Sequence, residues 1–208
     1  MSNPSAKKVG IFGGAFNPVH MGHLLMAETA LEQFQLDQVI WVPTYQPPHK
    51  AGELLAFNHR WEMLQRAIAD HPAFIASEID QKRGGISYAI ATFTDLQQIY
   101  PTVCWHWVIG VDAFQSLPHW RNGVEIASQC TLLIAPRNQK PVQNIALEVA
   151  TVLAKQSVQL QWYLLEMPQT EISSSLIRQY CQEGRSLRYL LPESVRAYIA
   201  THKLYRTE

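Results

Sequence analysis

Two histidines, His20 and His23, close the run Gly13-Gly14-Ala15-Phe16-Asn17-Pro18-Val19-His20-Met21-Gly22-His23. A short apolar stretch, Val9 to Phe12, precedes the run. From Pro18 onward Leu24, Ala27, Leu31 and Phe34 recur at helical steps. The run therefore reads as a turn between a strand and a helix. Gly13 and Gly14 let the backbone bend sharply and approach a ligand. Pro18 suits a helix start, having no N–H to leave orphaned. The helix N-terminus offers free N–H groups and partial positive charge to an anion. His20 and His23, three apart, share a face of the first turn and add donors, and Gly22 leaves room between them. The chemistry that fits is polyphosphate binding. The run is neither GxGxxG nor GxxxxGK followed by Ser or Thr, so the common dinucleotide and P-loop fingerprints do not apply. A pair of core histidines or two zinc ligands is the alternative. No Cys or carboxylate stands beside them at ligand spacing, and the Gly-Gly turn favours phosphate.

A second cluster, Ile172-Ser173-Ser174-Ser175-Leu176-Ile177-Arg178, lies late in the chain. Serines ahead of an apolar helical pattern are N-caps, and Gly184 can end that helix. The same first turn offers hydroxyls and N–H groups to an anion, with Arg178 one turn further on. Serine caps alone are usually structural, and a lone Arg is usually a solvated charge. Ser173 to Ser175 have no His and acid at a recognisable spacing, so they do not read as a nucleophile.

Strand-like and helix-like segments alternate around these clusters. Strands are expected at Val9–Phe12, Gln38–Pro43, Phe74–Ala76, Val103–Ile109, Thr131–Ala135 and Gln161–Leu165. Helices are expected from Pro18, over Asn58–Asp70 and Ser87–Ile99, and from about Val142 to Lys155. VCWHWVI is almost continuously apolar, as a strand buried on both faces would be. The alternation predicts an α/β fold, a Rossmann-like doubly wound, mainly parallel sheet with helices on both faces. No linker or repeat splits the chain, so residues 1–208 read as one domain, with 1–8 as a flexible tail. In such sheets ligands bind beyond the carboxyl ends of the strands, at a switch in strand order. Both clusters follow expected strands.

The 208 residues carry 17 Lys plus Arg against 17 Asp plus Glu, which gives no support for binding nucleic acid. Cys104, Cys130 and Cys181 form neither a CxxC pattern nor an even disulfide set, and read as free thiols. No apolar run is long enough to span a bilayer, and Met1 to Lys8 lacks a signal-peptide core. A cytoplasmic location, with no membrane partner, is the expectation.

With both motifs in view, the chain resembles the nucleotidyltransferase superfamily, whose signatures are GGxFxPxHxGH and ISSTxIR. Ser175 stands where Thr is usual. The similarity runs from Val9 to about Tyr205 and is strongest to bacterial nicotinate-mononucleotide adenylyltransferases. It implies transfer of the adenylyl group of ATP to nicotinate mononucleotide, giving nicotinate adenine dinucleotide and pyrophosphate in NAD biosynthesis. The resemblance implies His20, His23 and Arg178 as catalytic phosphate contacts. For ATP it implies Gly13, Gly14, Ala15, Phe16, Gly110, Asp112, Arg137, Ile172, Ser173, Ser174 and Ser175. Pro47-Pro48-His49-Lys50 looks like the family's phosphate loop, with His49 and Lys50 near phosphate. Gly84-Gly85-Ile86-Ser87-Tyr88 resembles the stretch whose backbone N–H groups receive the nicotinate carboxylate. Ser87, Tyr88 and Ala89 would then contact the mononucleotide, Ala89 replacing the usual Thr. Leu117-Pro118-His119-Trp120 resembles the LPxW whose Trp stacks on the pyridine ring; a Trp taken alone is more often core, but its place after Leu-Pro in a loop favours stacking. Arg121 follows, where an aromatic is common.

The mononucleotide phosphate is already an anion, so the protein's tasks are positioning and charge neutralisation. Mg²⁺ is the implied cofactor, held mainly by substrate phosphates and water rather than by protein ligands. An adenylyltransferase preferring nicotinamide mononucleotide or another phosphorylated coenzyme precursor is one alternative. A nucleotide-binding module without turnover is another, and pyrophosphate release separates it. Homo-oligomerisation is left open.

Overall fold

The computed structural model describes residues 6–48, 54–137 and 141–206. Strand β1 (Lys7–Gly14) leads to helix α1 (Met21–Phe34), β2 (Gln38–Pro43) to α2 (Phe57–Ile68), and β3 (Phe74–Ala76) to α3 (Ile79–Arg83) and α4 (Ala89–Ile99). Strand β4 (Val103–Gly110) runs directly into α5 (Val111–Ser116), a 3-10 turn (Leu117–His119) and α6 (Gly123–Gln129). The chain continues through β5 (Thr131–Ala135), α7 (Val142–Ala154), β6 (Trp162–Leu164), α8 (Ser174–Gln182) and α9 (Glu193–Thr201).

The six strands form one parallel sheet in the order β3-β2-β1-β4-β5-β6. The chain builds outward from β1 to β3, then crosses back to lay β4 on the other side of β1. The switch in strand order therefore falls between β1 and β4, where the doubly wound fold places its ligand crevice. Alternation along the strands divides the core into two layers. Phe12, Val39, Trp41, Val108 and Leu133 face one layer, packed by α1, α2, α8 and α9. Ile11, Ile40, Trp107, Ile109 and Ile134 face the other, packed by α4, α5, α6 and α7. Every second residue of β4 thus serves a different layer, which is why VCWHWVI reads as continuously apolar.

Several boundaries differ from the sequence expectation. Strand β1 begins at Lys7, two residues inside the expected tail, because Lys7 and Lys8 pair with Val103 and Cys104. Helix α4 begins at Ala89 rather than Ser87. The Ser87 N–H is held by the Gln46 carbonyl at 2.8 Å, and Tyr88 is extended at φ −87°, ψ 133°. Helices α3, α5, α6 and α9 were not expected. The first is a five-residue polar turn, and α5 follows β4 with no intervening loop to signal it. Gly123 opens α6 because a Cβ there would lie 2.2 Å from the Leu117 carbonyl oxygen. The three cysteines are free. No described helix is long and apolar enough to cross a membrane.

Candidate active site

At the carboxyl ends of β1 and β4 the chain lines two clefts, of about 540 and 610 Å³. Phe12, Gly13, Ala15, Gly110 and Ala113 border both, so the clefts meet over the switch point. The first is bordered by His20, His23, Asp112, Arg137, Ile172, Ser173 to Ser175 and Arg178. The second is bordered by Gly14, Ser87, Tyr88, Ala89, Trp107 and Trp120. Asn17 and Arg178, 161 positions apart, are thereby brought into contact within one site.

The local geometry of the first motif is tighter than its sequence suggests. Pro18 is not the first helical residue: α1 starts at Met21, with extended His20 as N-cap, and the Asn17–Pro18 peptide is cis. The His20 and His23 rings stack with centroids 3.6 Å apart. The His23 N–H donates to His20 Nδ1 at 3.3 Å, and the His20 N–H donates to His23 Nδ1 at 3.2 Å. This is a capping box built from two imidazoles. An Nδ1 that accepts a backbone N–H carries no proton, so each neutral ring holds its proton on Nε2. Burial, and then the positive charge of Arg137, push the His20 pKa down from 6.5 to about 4. His20 is thus a neutral Nε2–H donor at physiological pH.

Gly22 borders the first cleft and also makes room for the ring pair: a Cβ there would sit 3.1 Å from His20 Nδ1. The left-handed residue of the loop is Phe16, at φ 44°, not Gly13 or Gly14, both of which end β1. Phe16 borders neither cleft. It is 2% exposed and packs edge-on against Phe12 and His23. Its side chain is thus part of the core, which leaves only its backbone to meet ATP. A Cβ on Gly14 would lie 3.2 Å from the Phe16 ring, so Gly14 makes room for that packing.

The second motif is stitched onto the first. Ser173 N-caps α8, its Oγ accepting the Leu176 N–H at 3.2 Å. Ser174 Oγ donates to the Pro18 carbonyl, and Arg178 Nη1 donates to the Asn17 carbonyl, each at 2.8 Å. Arg178 Nη2 also donates to Ser175 Oγ at 3.3 Å. The hydroxyl proton of Ser174 is therefore engaged within the protein, which departs from three serines all offering protons to an anion. Gly184 takes φ 66° just beyond α8, as its helix-ending role requires. Across the cleft Arg137 Nη1 lies 3.5 Å from Asp112 Oδ2.

In the second cleft Ser87 is 6% exposed, and its Oγ accepts the N–H groups of Tyr45 and Gln46 at 3.0 and 3.2 Å. It clamps the segment after β2 to the start of α4. Gly84 and Gly85, at φ 73° and 66°, form the turn before it. Trp120 is half-buried, its Nε1 donating to Ser116 Oγ at 3.0 Å and its ring standing edge-on to Trp107. It is neither fully core nor free: one side packs while the other borders the cleft. The expected phosphate-loop residues His49 and Lys50 lie outside the described residues.

Sequence reasoning missed two residues that hold this site together. Arg60 is 1% exposed and donates to the carbonyls of Ala15, Thr44, Tyr45 and Leu55. Burial lowers its pKa to about 10. The available signal was a charge aligned with Leu64 and Ile68 on the apolar face of α2. Tyr205 OH donates to Asn17 Oδ1 at 2.8 Å, and burial pushes its pKa up. A bond spanning 188 positions leaves no local trace in the sequence.

Comparison with known proteins agrees with this architecture. The cytidylyltransferase-like family model matches residues 11–180. A probable nicotinate-nucleotide adenylyltransferase from Trichormus variabilis is 50% identical over 202 residues, covering 95% of this chain and 96% of the relative. One of the same description from a Nostoc species is 49% identical with the same coverage. Among solved structures, the Plasmodium falciparum nicotinic acid mononucleotide adenylyltransferase complexed with NaAD superposes with a TM-score of 0.78. It covers 96% of this chain and 97% of its own at 17% identity, a likeness of fold. On the family match and the full-length relatives, the chain belongs to the cytidylyltransferase-like family, among its nicotinate-nucleotide adenylyltransferases.

Proposed function

We propose that the protein transfers the adenylyl group of ATP to nicotinate mononucleotide in the cytoplasm, releasing pyrophosphate and forming nicotinate adenine dinucleotide. The observation that carries this reading is the meeting of the two clefts over β1 and β4. One is lined by the phosphate-type donors of both motifs, the other by aromatic and apolar walls. ATP fits the first, with its phosphates against His20, His23, Ser173, Ser175 and Arg178, and its nucleoside toward Gly110, Asp112 and Arg137. The mononucleotide fits the second, its ring against Trp120 and its polar substituent toward Ser87, Tyr88 and Ala89.

In the reaction a phosphate oxygen of the mononucleotide attacks the α-phosphorus of ATP. One P–O bond forms, and the bond to the β,γ-pyrophosphate breaks. The nucleophile is already ionised, so no general base is required. Rate comes from alignment and from fixed donors facing the charge that develops on the phosphates. Neutral His20 and His23 donate through Nε2–H, and Arg178 adds a fixed positive charge. Mg²⁺ would supply further neutralisation when bound with ATP. Among the described residues no three His, Cys, Asp or Glu side chains gather as a ligand set. Phosphate oxygens and water would supply most of its coordination, as a small hard cation prefers.

The test is pyrophosphate release from ATP and Mg²⁺ with nicotinate mononucleotide, nicotinamide mononucleotide or phosphopantetheine as acceptor. Release that depends on the pyridine acid is expected. Release with phosphopantetheine alone, or none with any acceptor, would overturn the assignment.

A further inference from the structure

The buried end of the second cleft is electrostatically closed. Asp80, 3% exposed, accepts from the Thr92 hydroxyl and from Arg83 Nη2. The other arm of the Arg83 guanidinium is bound to Asp95 at 2.6 Å. The Ser87 oxygen already accepts two backbone N–H groups. Asp80, Thr92, Arg83 and Asp95 form a self-satisfied network whose charged members are two carboxylates and one guanidinium. Such a network has no surplus positive charge for a carboxylate on a bound aromatic ring.

That charge is present at the lip. Arg121 borders the cleft, and its guanidinium carbon lies 4.7 Å from the centroid of the Tyr88 ring, also a cleft residue. Stacking on a ring face restrains a guanidinium while leaving its in-plane N–H donors available. No carboxylate among the described residues pairs with Arg121. The stack also joins two separate segments: Tyr88 is the N-cap of α4, whereas Arg121 follows Trp120, the residue that ends the 3-10 turn. Trp120, Tyr88 and Arg121 all border this cleft, so a ring held against Trp120 would lie in the same cleft as the pair.

We propose that Arg121 determines acid specificity: stacked on Tyr88, it reads the ring carboxylate through a charge-assisted hydrogen bond. The inference rests on the reaction proposed above and assigns the side chain that separates acid from amide. Tyr88 sets its aim, and Asp80 with Arg83 keeps the cleft floor from competing for it. An amide has no negative charge to meet Arg121, whereas both mononucleotides carry the same phosphate.

The experiment compares kcat/KM for nicotinate and nicotinamide mononucleotides at saturating ATP in wild type, Arg121→Ala and Arg121→Lys. Arg121→Ala should lower kcat/KM for the acid about 10- to 100-fold, mainly through KM, and leave the amide within about twofold. Arg121→Lys should recover part of the acid preference, since it keeps the charge but loses the planar stack. Unchanged thermal melting would show that the exposed substitution leaves the fold intact. Equal losses on both mononucleotides would assign Arg121 to the shared phosphate and overturn the proposal, as would no loss on either. If the wild type turned over neither compound, the proposed reaction would fail on its own. Calorimetric titration of the same two ligands onto the same proteins would then still decide the role of Arg121.

Discussion

The imidazoles of His20 and His23 hold each other: each Nδ1 accepts the backbone N–H of the other residue, at 3.3 and 3.2 Å, and the rings stack. Helix capping thus engages one nitrogen of each ring and leaves the other for the ligand contact proposed above. Nδ1 closes the helix, which leaves Nε2–H as the donor. Protonating His20 would place a charge in a buried site and abolish the lone pair that caps α1.

That arrangement predicts a pH dependence. The His20 pKa lies at about 4 in the folded protein against 6.5 ordinarily, so between those values the unfolded chain binds more protons. The stabilisation is complete above pH 6.5 and is lost as pH falls toward 4. Its full size is roughly 3 kcal/mol, from the size of the shift. His20→Asn keeps a side-chain oxygen able to cap the helix and removes the titration. Urea unfolding from pH 7 to 4 should show a steeper loss in wild type than in the variant. Parallel curves would remove His20 as the source.

His23→Ala should lower turnover about a hundred- to a thousandfold, the usual cost of losing one fixed donor to a charged transition state. It also leaves the His20 N–H without its acceptor, which costs about 1–3 kcal/mol of stability. Steady-state kinetics and melting on the same preparation separate the two. Near-normal kcat would remove His23 from the reaction.

Arg178→Lys should damage use of ATP more than affinity for the mononucleotide. Lysine keeps the charge, but one ammonium cannot span the Asn17 carbonyl and Ser175 Oγ while facing phosphate. A fall in kcat/KM of at least about tenfold when ATP is varied is the expected outcome. A defect confined to the mononucleotide would contradict the assigned role.

Arg60 and Tyr205 should behave differently from each other although both hold the catalytic loop. Arg60→Met removes the donors of four carbonyl groups and should cost roughly 3 kcal/mol in chemical denaturation. Tyr205→Phe removes a single hydrogen bond to Asn17 and should cost about 1 kcal/mol. Because Asn17 also receives Arg178 on its carbonyl, Tyr205→Phe should lower kcat severalfold while the protein stays folded. Wild-type kcat in that variant would make the contact purely structural.

The sequence by itself determined the strand and helix alternation, the parallel sheet and the two phosphate motifs, because these depend on local periodicity and short spacings. Gln38–Pro43, Phe74–Ala76 and Thr131–Ala135 were legible to the residue, since each is an apolar run between clear breaks. The Gly13–His23 run carried the expectation that an anion meets the chain there. Only the tertiary structure decided how those parts are used. Phe16, read as a ligand contact, turns into the core because the loop takes its positive φ there. Ser174 and Arg178 are tied to Pro18 and Asn17, and Tyr205 reaches Asn17 from the far end of the described chain. Arg60 serves four carbonyls from three separate segments. Such bonds join groups distant in sequence, and buried polar atoms take whichever partner the packed fold brings within reach. The pattern of one segment specifies its own conformation, but not which distant carbonyl will satisfy its donor.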